Sequence, residues 1–419
     1  MNRVPRALCI FAFLPFDRAK DVHGVFQRMR LFVDGLAAVA EQLDVLFFVP
    51  HGTDTSAESV RQHEADLRAA WNPRVNVSLC SRTASPPPMG RMRTILRGMT
   101  SIHRQPAYEP FSGNGPRAAV QTRLDRRPSL IFVHNLRPMS VLLGWPATSL
   151  PPVLFDIDNI DHRLELRHLL KSPRWPAERL RLSWLPALML GESRAYRRAR
   201  RVFVCSEKDE RYLQRLGVRH ACAIPNVVDV PSEPPTGPVT KRLLFLGSLN
   251  YRPNAEAAEY LLSQIWPSIS RAEPDAELWI AGREPEHVRC FTEPPPGVRF
   301  LDFVNDLDSL YRSVSAVVCP IRVGGGTRIK LVEAAAQAKP IVSTTVGAEG
   351  LLLDNDVDIL LRDTPTAFAE ACVSLLRTRD RARQLGLGAW RKAQLHYSRP
   401  TAIKRIEHEA RATIGLPLS

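Results

Sequence analysis

Short, unbroken apolar runs separated by amphipathic stretches recur along nearly the whole chain. Runs at 6–13, 43–49, 75–79, 129–134, 152–156, 201–205 and 221–225 are continuous rather than alternating, which predicts strands covered on both faces. Between them, 25–40, 57–70 and 207–216 carry the spacing of amphipathic helices. Strands separated by helices predict a parallel sheet. Two segments break the rhythm. Residues 86–127, rich in Pro, Gly and Arg, are expected to form an irregular, partly mobile insertion. Residues 163–201 are basic and helix-prone, with Trp175, Trp184, Leu185, Leu188 and Met189 on the apolar side.

The run 230–240, VPSEPPTGPVT, has four prolines and no apolar periodicity, so it is read as a linker. Beyond it the alternation restarts, with strands at 243–247, 277–281, 298–301, 316–319, 341–345 and 358–361 and helices between and after them. A last helix, 401–414, stands apart behind Ser398–Pro400. The fold class is therefore α/β. Two doubly wound, Rossmann-like domains, 1–229 and 241–397, are expected to face each other across a ligand cleft, followed by a tail at 398–419.

Composition adds little about class but something about partners. Hydrophobic content of 44% and charged content of 24% are ordinary for a globular protein. No apolar run approaches the roughly 18 residues that span a bilayer. The run 8–16 lacks a cleavage site and reads as a strand rather than a signal peptide, so the cytoplasm is expected. Seven cysteines form no CxxC pair, which argues against a structural zinc. Net charge is +14, and it is lopsided. Residues 1–230 hold 34 Lys and Arg against 21 Asp and Glu, whereas 231–419 hold 23 against 22. Nucleic acid, an anionic membrane or an acidic substrate would each account for this.

The stretch 315–351 carries the chemistry. A buried strand at 316–319 leads into Gly324, Gly325 and Gly326, and a helix is expected from 327 to 337. Glycines let backbone N–H groups approach a phosphate, and a helix start adds partial positive charge. Thr327 is placed at the cap or first turn, with Arg328 and Lys330 at the same end. Glu333, three residues after Lys330, shares its helix face and suits a ribose diol. The alternative is a tight turn, a cap and a surface Lys–Glu pair, but the clustering of cations favours a diphosphate site. Arg252, following the strand 243–247, is a candidate for a further phosphate contact, or else caps the next helix.

The residues LLFLGSLNYRPNAEAAEYL at 243–261, ELWIAGREP at 277–285, RRVFVCSEKDERYLQRLGV and AIPNVVDV within 200–230, and the stretch 315–351 together resemble retaining glycosyltransferases of family 4. Among these the chain is most similar to bacterial transferases that build extracellular or capsular polysaccharide. The resemblance implies the GT-B fold, with the last helix returning to the first domain. It implies transfer from a nucleoside-diphosphate sugar, of uridine or guanosine type, to a saccharide or lipid-linked acceptor. It also implies retention without a metal or other cofactor, the departing diphosphate taking the acceptor's proton. Arg328 and Lys330 would stabilise that diphosphate, and Glu333 would hold the ribose. One departure stands out: Gly325 occupies the place of the first glutamate of the family's Glu-x7-Glu pattern.

On the acceptor side the candidates are Gly24, at a helix start after the loop 15–24, His134, at the end of a strand, and Asp156, after another strand, with Asp158 near it. Resemblance places His134 at a cleft edge, where it would hydrogen-bond donor sugar or acceptor. The run DIDNIDH at 156–162 could equally be a helix-capping turn, and it lacks the spacing of a calcium loop. The basic segment 163–201 suits a helix lying on an anionic inner-membrane leaflet, the alternative being a helix whose apolar side packs into its own domain. A nucleotide-sugar epimerase or non-transferring homologue is the competing enzyme reading. A nucleic-acid-binding protein fits less well, since aromatics are only 7% and no binding motif occurs.

Overall fold

The computed structural model describes residues 3–15, 24–85, 90–171, 173, 175–238 and 240–417. The chain forms two compact units, one of Met1–Pro225 with Pro400–Ser419 and one of Asn226–Arg399. In the first unit seven parallel strands lie in the order β3-β2-β1-β4-β5-β6-β7. They are β1 (Val4–Phe11), β2 (Ala40–Val49), β3 (Val75–Ser81), β4 (Leu130–His134), β5 (Val153–Ile157), β6 (Arg201–Val204) and β7 (Ala221–Ala223). In the second, six parallel strands run β10-β9-β8-β11-β12-β13. These are β8 (Arg242–Leu246), β9 (Glu277–Ala281), β10 (Val298–Leu301), β11 (Ala316–Cys319), β12 (Ile341–Ser343) and β13 (Leu360–Leu361). Strand order reverses at β1/β4 and at β8/β11, and the loops leaving those strands gather at the carboxyl edge.

Continuous apolar runs explain the burial. Every residue of β4 and of β5 is buried, as a strand covered on both faces requires. Beneath the first sheet Phe32 stacks on Phe132 at 4.6 Å and tilts against Phe203 at 5.2 Å. The final helix, Arg399–Ile414, packs on the first unit. Its Ile406 lies so close to the helix Gly24–Ala37 that a Cβ on Gly35 would sit 2.6 Å from the Ile406 side chain. Arg201 pairs with Glu409 at 2.6 Å to anchor the same helix.

Three expectations need correction. Residues 90–127 are not irregular: they hold helices Arg91–Gly98 and Asn114–Leu124 with two short 3-10 turns, and Ile102, Phe111 and Val120 are buried. Gly90 and Gly113 are the N-cap residues of those helices and Pro116 lies in a first turn, so residues read as breakers are helix starters. The proline run at 230–240 is not a free linker. The chain leaves the first unit at Pro225, and the Pro231 carbonyl accepts hydrogen bonds from Trp390 and Gln394 within the second. Segment 163–201 is divided into the helix Asp161–Lys171, a 3-10 stretch Pro176–Trp184 and the helix Leu185–Arg198. Trp184 and Leu188 are buried there while Met189 is exposed.

Candidate functional site

The second unit gathers its cations where the loops after β8 and β11 meet. Gly324 has φ +157° and Gly326 φ +66°, so the loop uses backbone that side chains rarely adopt. The helix begins later than expected, at Ile329, leaving Thr327 and Arg328 in the loop. Thr327 therefore does not cap it. Its hydroxyl accepts a hydrogen bond from Asn226 at 2.9 Å. Arg328 folds back so that one terminal nitrogen donates to the carbonyls of Gly325 and Gly326. Its other terminal nitrogen is buried with no hydrogen-bond partner. Where the family pattern would put a glutamate at 325, this chain holds a main-chain carbonyl under a guanidinium.

Lys330 is not a surface residue: it is 8% exposed, and its ammonium donates to Asn254 Oδ1 at 2.8 Å above the ring of Phe245. A Cβ on Gly247, φ +149°, would lie 2.6 Å from that nitrogen, so glycine clears its path. No carboxylate of the described residues lies within ion-pair distance of Lys330 or Arg328, and burial, aided by Arg328, lowers the Lys330 pKa to about 8. Glu333 does not pair with Lys330. It accepts from the Tyr311 hydroxyl at 3.0 Å, and burial raises its pKa to about 7 against the opposing pull of Tyr311 and Lys330. Arg252 opens the helix Arg252–Tyr260 and pairs with Glu256 at 2.6 Å on that same helix.

The first unit arranges its charges differently. Arg28, on the helix Gly24–Ala37, donates to both oxygens of Asp156 at 2.8 and 2.5 Å and to the Ile224 carbonyl at 2.8 Å. His134 Nδ1 lies 2.8 Å from Asp156, and Nε2 lies 3.2 Å from Asp158. Arg28, His134 and Asp156 are fully buried. Burial alone would lower the His134 pKa, but the Asp158 charge and the close contacts with both carboxylates raise it to about 9. Burial would raise Asp158, yet His134 and then Arg28 hold it below the usual range. His134, Asp156 and Asp158 form a set that could ligate a cation. Arg28 already contacts both carboxylates and balances them with His134.

The expectation of a histidine and an aspartate open to a substrate is therefore not what the structure shows: His134 and Asp156 are sealed from solvent, with His134 Nε2 in ion-pair reach of Asp158 but without a hydrogen bond. Gly24 is the first residue of its helix, and the residues before it, 16–23, lie outside the described ones. Sequence reasoning missed Arg28, Asn254 and Tyr311. Arg28 had a signal, a charge set among the apolar positions of an amphipathic helix, whereas Asn254 and Tyr311 had none.

Residues 24–226 match the family model described as glycosyl transferase 4-like domain, and residues 240–378 match that of glycosyl transferases group 1. Two glycosyltransferase family models thus match in succession, one over each Rossmann-like sheet, and the architecture is that of the GT-B fold. HepE from Anabaena, solved with UDP and glucose, aligns with TM-score 0.66 at 13% identity, covering 97% of this chain and 100% of that one. Sucrose-phosphate synthase from Thermosynechococcus elongatus aligns with TM-score 0.68 at 15% identity, covering 98% and 99%. TarM from S. aureus, solved with UDP among its ligands, aligns with TM-score 0.61 at 9% identity, covering 98% and 100%. At such identities the likeness speaks for the fold. Among curated proteins, an uncharacterized 44.6 kDa protein in the cps region of Klebsiella pneumoniae is 19% identical over 175 residues, 40% of this chain. The match spans 45% of that relative's length.

Proposed function

We propose that the chain is a retaining glycosyltransferase that uses a nucleoside-diphosphate sugar and works without a metal or other cofactor. The observation that carries this is the pair Lys330 and Arg328, held beside a glycine loop by neutral partners only. Cations buried without a carboxylate are costly unless an anion joins them, and a diphosphate supplies the charge. Glu333, steadied by Tyr311, is assigned to the ribose. In the reaction the bond from the anomeric carbon to the diphosphate oxygen breaks and the bond to the acceptor oxygen forms on the same face. The acceptor's proton passes to the departing diphosphate, whose charge Lys330 and Arg328 stabilise. No separate protein base is needed, which suits the burial of His134 between Asp156 and Asp158. UDP in the HepE and TarM structures favours testing a uridine donor first. A thermal-shift comparison of UDP, GDP and their sugars decides the donor, and a ligand at 100 times its dissociation constant should stabilise by roughly 2.7 kcal/mol. The reading fails if no nucleotide shifts the transition.

The acceptor is a saccharide or lipid-linked saccharide of cell-surface polysaccharide, a role the relative from a cps region supports. No described helix is long and apolar enough to cross a membrane. Peripheral docking on anionic lipid is supported by a set of side chains that shares only Met189 with the one expected. Of the twelve exposed large apolar residues among those described, eight lie from Met92 to Leu190, including Leu96, Leu180 and Met189. Sedimentation with anionic and with neutral vesicles tests it: equal binding to both, or to neither, removes this part of the proposal.

A further inference from the structure

A cavity of about 560 Å³ opens in the first unit beyond the carboxyl ends of β4 and β5, within the size range of ligand sites. The helix Arg91–Gly98, the turn before Tyr108 and the helix Asp161–Lys171 wall it in. It opens beside Asn135, whose φ of +81° turns the chain sharply after His134 and brings Arg137 to the rim.

The lining is mixed in a way that specifies chemistry. Arg181 is already committed, to Glu165 at 2.6 Å and Glu178 at 2.9 Å. Arg137 and Arg91 are not: neither has a carboxylate of the described residues within ion-pair distance, and each lies over an aromatic ring instead. Arg91 stands 5.0 Å over Trp175, and Arg137 stands 5.7 Å over Phe13, which Arg82 also faces at 5.7 Å. Two guanidiniums thus share one ring. Facing them, Asp161 accepts from Tyr108 at 2.7 Å with one oxygen and keeps the other available. The Asn159 carbonyl oxygen is buried without a hydrogen-bond partner. Burial and the Glu192 charge raise the Asp161 pKa to about 6 against the pull of the Tyr108 hydrogen bond and the nearby Arg137 charge.

We infer that this cavity is the acceptor subsite and that it selects a saccharide carrying an anionic group, a carboxylate or a phosphate. Arg137 and Arg91 take the anion, for which the guanidinium fork is suited. Asp161 and Asn159 take hydroxyls, and Trp175 offers an apolar wall to a sugar ring. The inference rests on the glycosyl-transfer reading and gives it a substrate class.

The test is binding of methyl glucuronide, glucose 1-phosphate and neutral methyl glucoside to the full chain, by ligand-observed NMR, with and without saturating UDP. At least one anionic sugar should bind ten-fold or more tighter than the neutral one in the presence of UDP, and which one does distinguishes carboxylate from phosphate. Arg137→Ala should abolish that preference while leaving UDP affinity unchanged, and Arg137→Gln serves if the alanine variant does not fold. Asp161→Asn should weaken all three sugars together. Equal binding of the three, or a preference surviving both Arg137→Ala and Arg91→Ala, overturns the inference. UDP affinity on the same samples separates the two readings, since UDP that binds with no anionic preference sinks only the acceptor subsite. If UDP fails to bind, the donor reading falls, while the sugar preference still decides the cavity.

Discussion

Both units bury cations near the carboxyl edge of a parallel sheet, but they treat them in opposite ways. In the first, Arg28 and His134 meet Asp156 and Asp158, and the cluster closes on itself. In the second, the hydrogen-bond partners of Lys330 and Arg328 among the described residues are an amide and main-chain carbonyls. The pKa values follow: His134 is raised to about 9 and Lys330 is lowered to about 8. A cation that has its counter-charge is scaffold. A buried cation without one is unfinished until an anionic ligand arrives.

The largest effect expected from breaking this contrast is at Arg28. Arg28→Ala leaves two carboxylates at the edge of β5 with His134 as their one remaining counter-charge among the described residues and should cost about 3–5 kcal/mol in urea unfolding. A loss below 1 kcal/mol would show that the cluster is not self-neutralising.

The pH dependence of stability sharpens the comparison next. His134 is raised from about 6.5, so its contribution is full below that value and is lost as pH rises through about 9. The shift corresponds to on the order of 3 kcal/mol across that window, and His134→Gln should remove the slope. Lys330 acts in the opposite sense. Its penalty is full below about 8 and is relieved as pH rises toward its unfolded value near 10.5.

Lys330→Met should weaken UDP binding by about 1.5–3 kcal/mol by calorimetry. It should leave unfolding stability within about 1 kcal/mol of the parent or higher, because the substitution removes an unpaired charge from the interior. UDP affinity of the parent should fall above pH 8. Unchanged affinity would return Lys330 to a structural role.

The smallest effect is at Glu333, whose pKa is raised to about 7. Glu333→Gln keeps a partner for Tyr311 and should cost about 0.5–1.5 kcal/mol of UDP affinity. The rise of affinity with pH through 7 in the parent should be absent from the variant. A parallel pH profile in both would remove Glu333 from the ribose contact.

Much of this was legible in the chain. Continuous apolar runs gave the strands of both sheets, because a strand covered on both faces must be apolar throughout. The glycine loop, Arg328, Lys330 and Glu333 could be singled out because they are close in sequence, on one strand-loop-helix unit. Residues 90–127 were misread because Gly and Pro mark helix starts as well as breaks, and only the packing of Phe111 against Phe48 shows which.

The sequence alone therefore determined the parallel α/β architecture and the local glycine loop with its cations, since both depend on periodicity and near-neighbour spacing. Tertiary structure alone decided which charges are paired. Arg28 reaches Asp156 across 128 positions, and Lys330 reaches Asn254 across 76. The same residue types, basic and acidic, looked alike in the chain. Burial and the identity of a distant partner made His134 a sealed element of the scaffold and left Lys330 waiting for an anion, because in a low-dielectric interior a charge is defined by what lies within a few ångströms of it.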